Sequence, residues 1–100
     1  MMWDVVFSEE AEKDREALDG SVRSQVDRAI YKVAQNPLPK NEGGYGTPLR
    51  RNLSGLCRIK LLKLGVRIVY KLIRTETSMR IIVIAAKADN EVYEVAGKRI

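Results

Sequence analysis

The fold of this chain is decided by residues 55–72, which read GLCRIKLLKLGVRIVYKL. Apolar and other side chains alternate along both halves of this stretch, as they do on the opposite faces of a β-strand. A tight connection near Leu64 and Gly65 joins the two halves. The stretch therefore predicts a β-hairpin with one continuous apolar face. That face is made of Cys57, Ile59, Leu61, Val66, Ile68, Tyr70 and Leu72.

The opposite face of the predicted hairpin is basic. Arg58 and Lys60 project from its first strand, and Arg67 and Lys71 project from its second. Like charges on adjacent strands repel each other by some tenths of a kcal/mol or more per pair. We therefore expect this face to hold an anion among its cations.

Composition limits the classes of function that remain open. The chain has 100 residues and a net charge of +5, which predicts a single domain over 1–100 and favours a polyanionic partner. It has no histidine, which excludes a histidine general base or metal ligand. Its one cysteine, Cys57, excludes an intramolecular disulfide and is predicted to be a small core residue.

Motifs for cofactors and metals do not occur in the sequence. There is no P-loop, no H-E-x-x-H and no C-x-x-C, and Asp89 and Glu91 lack the third acidic partner of a two-metal site. We therefore expect no cofactor and no metal ion. No signal peptide is recognisable and no apolar run approaches the ~18 residues of a membrane span, so we expect a cytoplasmic protein with no membrane contact.

The rest of the chain predicts helices on one face of a sheet. Ser8 and Ser21 are expected to cap two helices, and a loop with two prolines and three glycines follows them. Within this loop, Tyr45 could contact a base or anchor the loop to the core. The order is β-α-α-β-β-β-α, an α+β fold with an N-terminal strand, an αα-hairpin, a three-stranded antiparallel meander and a short C-terminal helix, which leaves the basic face open. The predicted ranges outside the hairpin are a strand over 2–7, helices over 9–18 and 21–35, a loop over 38–48, a strand over 79–86, a turn over 87–90 and a helix over 91–99.

Several short motifs, taken together, resemble the RelE-type toxins of the RelE/ParE toxin–antitoxin superfamily. They are the strand with Gly65, Arg67 and Tyr70 in the pattern G-x-R-[IL]-V-Y, and the E-V-Y sequence that ends at Tyr93. The resemblance covers the whole chain, because the element order also matches. Residues 57–61, 85–87 and 98–100 are further stretches that carry the resemblance.

The resemblance implies a ribosome-dependent, metal-independent endoribonuclease. Such toxins cut mRNA in the 30S A site with the 2′-hydroxyl of the RNA as nucleophile, and so inhibit translation. Carried over to this sequence, the catalytic residues are Lys60, Arg67, Lys87 and Tyr93, and the RNA-binding residues are Arg50, Arg51, Arg58 and Lys71.

This sequence departs from the family pattern at three positions. Arg58 replaces the first lysine of the family's K-x-K strand, and an arginine is a poorer proton-transfer group because it stays protonated. The family's arginine shortly before the tyrosine is missing, and Lys87 is the nearest cation. Ser54 stands where the family has an arginine before the hairpin.

The resemblance also implies partners and leaves two rival functions open. A cognate antitoxin should cover the basic sheet with an acidic or amphipathic segment, or displace the C-terminal helix, and the toxin–antitoxin complex is expected to bind operator DNA. The first rival is a ParE-like toxin of the same fold that acts on DNA gyrase. The second is a non-catalytic module that binds RNA or an antitoxin.

Overall fold

The computed structural model describes residues 2–100. None of its helices has the length and apolar composition that crossing a membrane requires, as far as these residues are concerned. Three short 3₁₀ turns lie in the connections, at Lys40–Glu42, Arg51–Leu53 and Arg74–Glu76. The helices and strands in chain order are β1 (Asp4–Phe7), α1 (Glu9–Glu16), α2 (Gly20–Val33), β2 (Thr47–Pro48), β3 (Leu56–Leu61), β4 (Val66–Ile73), β5 (Ser78–Ala85) and α3 (Asp89–Arg99).

The strands form one five-stranded sheet in the order β1-β5-β4-β3-β2. Strands β3, β4 and β5 are the predicted antiparallel meander. At one edge β1 lies parallel to β5, and at the other edge the two-residue strand β2 pairs with β3. The α+β prediction is thus confirmed, and the sheet gains a short strand inside the segment that the sequence predicted to be a loop.

The central hairpin has the predicted turn and faces. Lys60 lies opposite Arg67 on the paired strands, and Gly65 closes the turn with a φ of 66°. Such a positive φ is accessible to glycine without steric cost. The predicted apolar face packs under α1 and α2, where Cys57 is buried as expected.

The second face of the sheet is not open, and here the prediction from sequence was wrong. Helix α3 packs across it, because Val92 and Ala96 are fully buried against β4 and β5. Partners of this smaller core are Leu53, Leu56, Val69, Ile82 and Val83. Only the part of the face beyond α3 remains available to a ligand.

Two helix starts differ from the predicted ones. Ser8 caps α1 as predicted, and its hydroxyl accepts a hydrogen bond from the Ala11 backbone at 3.1 Å. Helix α2, however, is capped by Asp19, whose carboxylate accepts a hydrogen bond from the Ser21 backbone at 3.1 Å, so Ser21 is not the cap. Helix α3 begins at Asp89, which therefore lies in the first helical turn instead of in the connecting turn.

The segment before β3 is anchored to the core by Tyr70. Its buried hydroxyl donates a hydrogen bond to the Pro37 carbonyl at 2.7 Å, and burial raises its pKa. Gly46 packs so closely against this hydroxyl that a side chain there would collide with it. Tyr45 is 52% exposed and is not the anchor.

The C-terminal end of α3 binds the edge of β5 beyond the residues that pair with β1. Beyond its pairing with β1, side chains bind the backbone groups of this strand at Ile82 and Ile84. Asp14 accepts a hydrogen bond from the Ile84 N–H at 3.1 Å, and Arg99 donates one to the Ile82 carbonyl at 2.9 Å. Arg99 and Asp14 also form an ion pair at 2.7 Å, so α1 and α3 are joined around the strand edge.

Substitution of Ile84 tests the placement of β5 in the core. Ile84 is 3% exposed, and Ile84→Ala should lower the free energy of unfolding by about 2–5 kcal/mol because it leaves a cavity. Leu62→Ala, at a side chain that is 78% exposed, is the matched control and should change it by about 0.5 kcal/mol or less. Urea denaturation measures both, and equal midpoints for the two variants would contradict this core.

Candidate active site

Three cations converge on the face of the hairpin that α3 only partly covers. Arg58 and Lys60 lie on alternate positions of β3, and Arg67 lies on β4 directly opposite Lys60. Their neighbours Ile59 and Ile68 point into the core, which fixes the outward direction of the basic side chains. We refer to Arg58, Lys60 and Arg67 as the basic cluster.

The anion within the basic cluster is Asp89, the first residue of α3. Lys60 Nζ lies 3.2 Å from Asp89 Oδ2, and Arg58 Nη1 lies 3.4 Å from the same oxygen. Arg67 Nε donates a hydrogen bond to the other oxygen, Oδ1. One carboxylate is thus shared by three cations, and the expected anion is supplied by the protein itself.

Two further contacts join the basic cluster to α3 and to the turn before it. Arg58 Nη1 donates a hydrogen bond to the hydroxyl oxygen of Tyr93 at 2.5 Å. Arg67 Nη1 donates one to the backbone carbonyl of Lys87 at 2.7 Å. The structure therefore brings together four of the predicted side chains, those of Arg58, Lys60, Arg67 and Tyr93.

The electrostatics of the cluster favour the charged form of Asp89. The hydrogen bond from Arg67 lowers the pKa of this carboxyl below its usual value, and Lys60 lowers it further, while partial burial opposes them. The aspartate also lies at the N-terminal end of α3, where the helix dipole stabilises negative charge. Asp89 is therefore ionised at neutral pH.

A groove extends from the basic cluster towards the loop before β3. It is bounded by Arg58 and Tyr93 on one side and by residues 47–53 on the other, including the exposed Arg50 and Arg51. Arg51 has a φ of 58° in its 3₁₀ turn, and the Ser54 hydroxyl donates a hydrogen bond to its carbonyl at 2.7 Å. The predicted RNA-binding arginines thus line a groove that leads to Tyr93.

The two remaining predicted residues lie outside the cluster. Lys71 is on the predicted face, but it pairs with Leu56 at the far end of the hairpin and lines a separate groove with Glu42 and Arg74. Lys87 is exposed, and it contacts Arg67 through its backbone carbonyl. Neither ammonium group takes part in the contacts around Asp89.

Asp89 is the site residue that the sequence prediction missed. It was assigned to a turn and considered only as a metal ligand. Two signals could have indicated its position: the unbalanced cations on paired strands, and an acidic residue in the connection between the last strand and the C-terminal helix. A carboxylate there offsets part of the positive charge of the hairpin.

Known proteins resemble this chain over nearly its whole length. The mRNA interferase toxin RelE of Escherichia coli strain K12 is 30% identical over 94 residues, which are 94% of this chain and 93% of that protein. The structure of a double arginine-to-alanine mutant of the Escherichia coli toxin RelE in the free state is similar to this one, with a TM-score of 0.80 and 31% sequence identity. The match covers 100% of this chain and 99% of that chain. Such a mutant in complex with an antitoxin RelBc peptide has a TM-score of 0.75 and 29% identity, with the same coverage of both chains. No protein-family model matches the chain.

These similarities define the class of the protein as a RelE-type toxin fold. At 30% identity across nearly the full length of a RelE toxin, the chain belongs to the RelE family of toxins. The resemblance stated from the sequence motifs is therefore confirmed. The roles of the individual residues remain predictions.

The pH dependence of stability tests the contacts of Asp89. Because its pKa is lowered in the folded protein, the ionised carboxylate adds stability that is present above the unfolded value near 3.8 and is lost as pH falls through the lower folded value. The difference in unfolding free energy between wild type and Asp89→Asn should thus be constant above about pH 5 and shrink below pH 3.8. Urea denaturation at several pH values measures it.

Arg67→Ala provides the control for this experiment. It removes the first partner of the carboxylate, so Asp89→Asn made in that background should have a weaker effect above about pH 5. A difference between wild type and Asp89→Asn that stays the same down to pH 2.5 would contradict the ion-pair network.

Proposed function

We propose that this protein is the toxin of a type II toxin–antitoxin pair and acts as a ribosome-dependent endoribonuclease that cuts mRNA in the A site. The observation that carries the proposal is the convergence of Arg58, Lys60 and Arg67 beside Tyr93, at the end of a groove with further arginines. The name of its relative, an mRNA interferase, supports an RNA substrate. The rest of the proposal concerns how these side chains act on RNA.

The proposed reaction uses the 2′-hydroxyl of the RNA as the nucleophile. The hydroxyl loses its proton as its oxygen attacks the adjacent phosphorus. The bond from phosphorus to the 5′-oxygen of the next nucleotide breaks, and this 5′-oxygen takes up a proton as it leaves. Negative charge grows on the phosphate oxygens in the transition state, and preorganised cations stabilise such charge. Arg67 offers a guanidinium fork to these oxygens, while Arg58 and Lys60 add charge from the neighbouring strand.

Tyr93 has a separate role in this proposal. Arg58 donates to its hydroxyl oxygen, so the phenolic hydrogen is free to point into the groove. There it would donate a hydrogen bond to the RNA, while the ring offers a surface on which a base can stack. Lys60 is the candidate for proton transfer during cleavage, because its ammonium group can lose a proton more readily than a guanidinium group can.

The residues around the basic cluster also support chemistry without a metal ion. Three cations and one carboxylate repel a divalent cation more than they attract it. No group of three metal-ligating side chains was found among residues 2–100. The cationic side chains would thus provide the charge stabilisation that a metal provides in other nucleases.

The RNA would enter along the groove. Arg50 and Arg51 can bind its phosphates on the way to Tyr93, and Lys87 can bind a phosphate on the other side of the cluster. Lys71 lies further along the sheet and would contact a more distant part of the ribosomal complex. The reaction would take place in the cytoplasm, where messages are translated.

The antitoxin is the second proposed partner. The related Escherichia coli toxin RelE has been solved in the intact RelBE toxin–antitoxin complex and with an antitoxin RelBc peptide, which supports a cognate antitoxin for this protein. Such a protein has to neutralise the basic cluster or change its geometry. Because α3 already covers part of that face, the antitoxin would lie along the groove or displace α3, and the resulting complex would bind operator DNA.

Arg67→Ala tests the proposed reaction directly. Loss of one charge-stabilising donor should lower the cleavage rate by about 10²–10³-fold, and growth arrest on induction should be lost. Arg67→Lys should also be impaired, because an ammonium cannot make the forked contact. Arg28→Ala removes the same charge from the exposed face of α2, on the other side of the sheet, and should leave toxicity unchanged.

Primer extension on a translated message identifies the cut sites. Cleavage within the A site by wild type and its loss in Arg67→Ala are the expected results. If Arg67→Ala still cuts there at the wild-type rate, the proposed site is wrong. If wild type arrests growth with intact messages and induces DNA damage, the protein acts as a gyrase-type toxin instead.

A further inference from the structure

The Asp89 carboxylate occupies the position that the proposed reaction requires for a phosphate. Its Oδ2 contacts Arg58 and Lys60, and its Oδ1 contacts Arg67, so all three cations of the basic cluster are engaged by one anion. A phosphate that reached the same donors would need the same space. The structure therefore shows the cluster in a closed state, with an anion from the chain itself.

We propose that Asp89 is an internal competitor of the RNA phosphate, and that RNA binds only after the first turn of α3 releases the basic cluster. This inference rests on the proposed function, because it assumes that the basic cluster is where the phosphate binds. It adds a regulatory step to that function. The free protein holds its own site closed, and substrate binding opens it.

Simultaneous binding of both anions is unfavourable for an electrostatic reason. Two negative charges at hydrogen-bond distance from the same donors lie only about 4 Å from each other and repel strongly in a partly desolvated site. A protein in equilibrium between a closed and an open state binds its ligand with an affinity reduced by the open fraction. Asp89 thus weakens RNA binding for as long as it remains ionised and in place.

The structure also explains why Asp89 can leave without detaching α3. Its side chain is 36% exposed, and the preceding residue, Ala88, offers no side-chain cap for the helix. The remainder of α3 is held separately, by the buried Val92 and Ala96 and by the Arg99 contacts at its C-terminal end. Movement of the first turn breaks the contacts of Asp89 with the basic cluster and leaves these others intact.

Release of Asp89 also affects Tyr93. Arg58 Nη1 is shared between Asp89 and the Tyr93 hydroxyl. When the carboxylate leaves, this guanidinium can turn to the phosphate while it still contacts the phenol. The same movement therefore opens the phosphate position and brings Tyr93 and Arg58 to one substrate.

Binding of an uncleavable RNA tests this proposal. The probe is a fluorescent 2′-O-methyl oligoribonucleotide, and its affinity is measured by anisotropy for wild type, Asp89→Asn and Glu91→Gln. Both variants remove one negative charge from the first turns of α3, but Glu91 is exposed and outside the cluster contacts. Asp89→Asn should bind at least about tenfold more tightly than wild type, since minor states are commonly populated at 10% or less. Glu91→Gln should stay within about twofold.

Arg67→Ala separates this proposal from the proposed function. Arg67→Ala and Asp89→Asn break the same ion pair, so they share its structural cost, but the first should weaken RNA binding and the second strengthen it. If Asp89→Asn binds no more tightly than Glu91→Gln, while Arg67→Ala still weakens binding, Asp89 is not a competitor and the proposed function stands. If Arg67→Ala leaves the affinity for RNA unchanged, both in the wild-type protein and in Asp89→Asn, the phosphate binds elsewhere and both proposals fail.

Three further experiments keep the proposal testable if a variant does not fold. Thermal melts establish that each variant is folded at the assay temperature, and Asp89→Ser, which keeps a hydroxyl at the helix start, should reproduce the tighter binding. In the wild-type protein, the carboxyl ¹³C resonance of Asp89 should shift when the RNA is added. An unchanged resonance at saturating RNA would overturn the proposal.

Discussion

The arrangement of this site depends on the mutual repulsion of three cations on two paired strands. Arg58, Lys60 and Arg67 are held on one face because their neighbours are buried in the core. Like charges so placed destabilise the hairpin unless an anion lies among them. In this structure Asp89 is that anion, and α3 begins where the carboxylate can reach all three. A cluster of this kind is suited to exchange one anion for another.

Helix α3 connects the stability of the fold to the proposed activity. Its middle packs against the sheet through Val92 and Ala96, and its end is fixed by Arg99 and Asp14. Its first turn carries Asp89 and is followed by Tyr93, which lies beside the groove. The helix thus contributes a side chain to the proposed site and an anion that blocks it. Any partner that shifts α3 changes the electrostatics and the shape of the site together.

The hairpin, the helix pair and the outward basic residues could be predicted because alternation and helical spacing are local signals. The parallel pairing of β1 with β5 joins residues more than 70 positions apart, and no local pattern indicates it. The cover that α3 provides was missed because this charged helix buries only two residues completely, Val92 and Ala96. Asp89 was missed for a related reason: its partners come from β3 and β4, and its sequence context is typical of a turn.

A crystal structure of the wild-type protein bound to a 2′-O-methyl oligoribonucleotide tests the central claim most directly. The account predicts a phosphate within hydrogen-bond distance of Arg58, Lys60 and Arg67. It also predicts that Asp89 has moved away from them, with Val92 and Ala96 still packed on the sheet. An RNA bound elsewhere, or a phosphate at the cluster with Asp89 still in contact with Arg67, would contradict it.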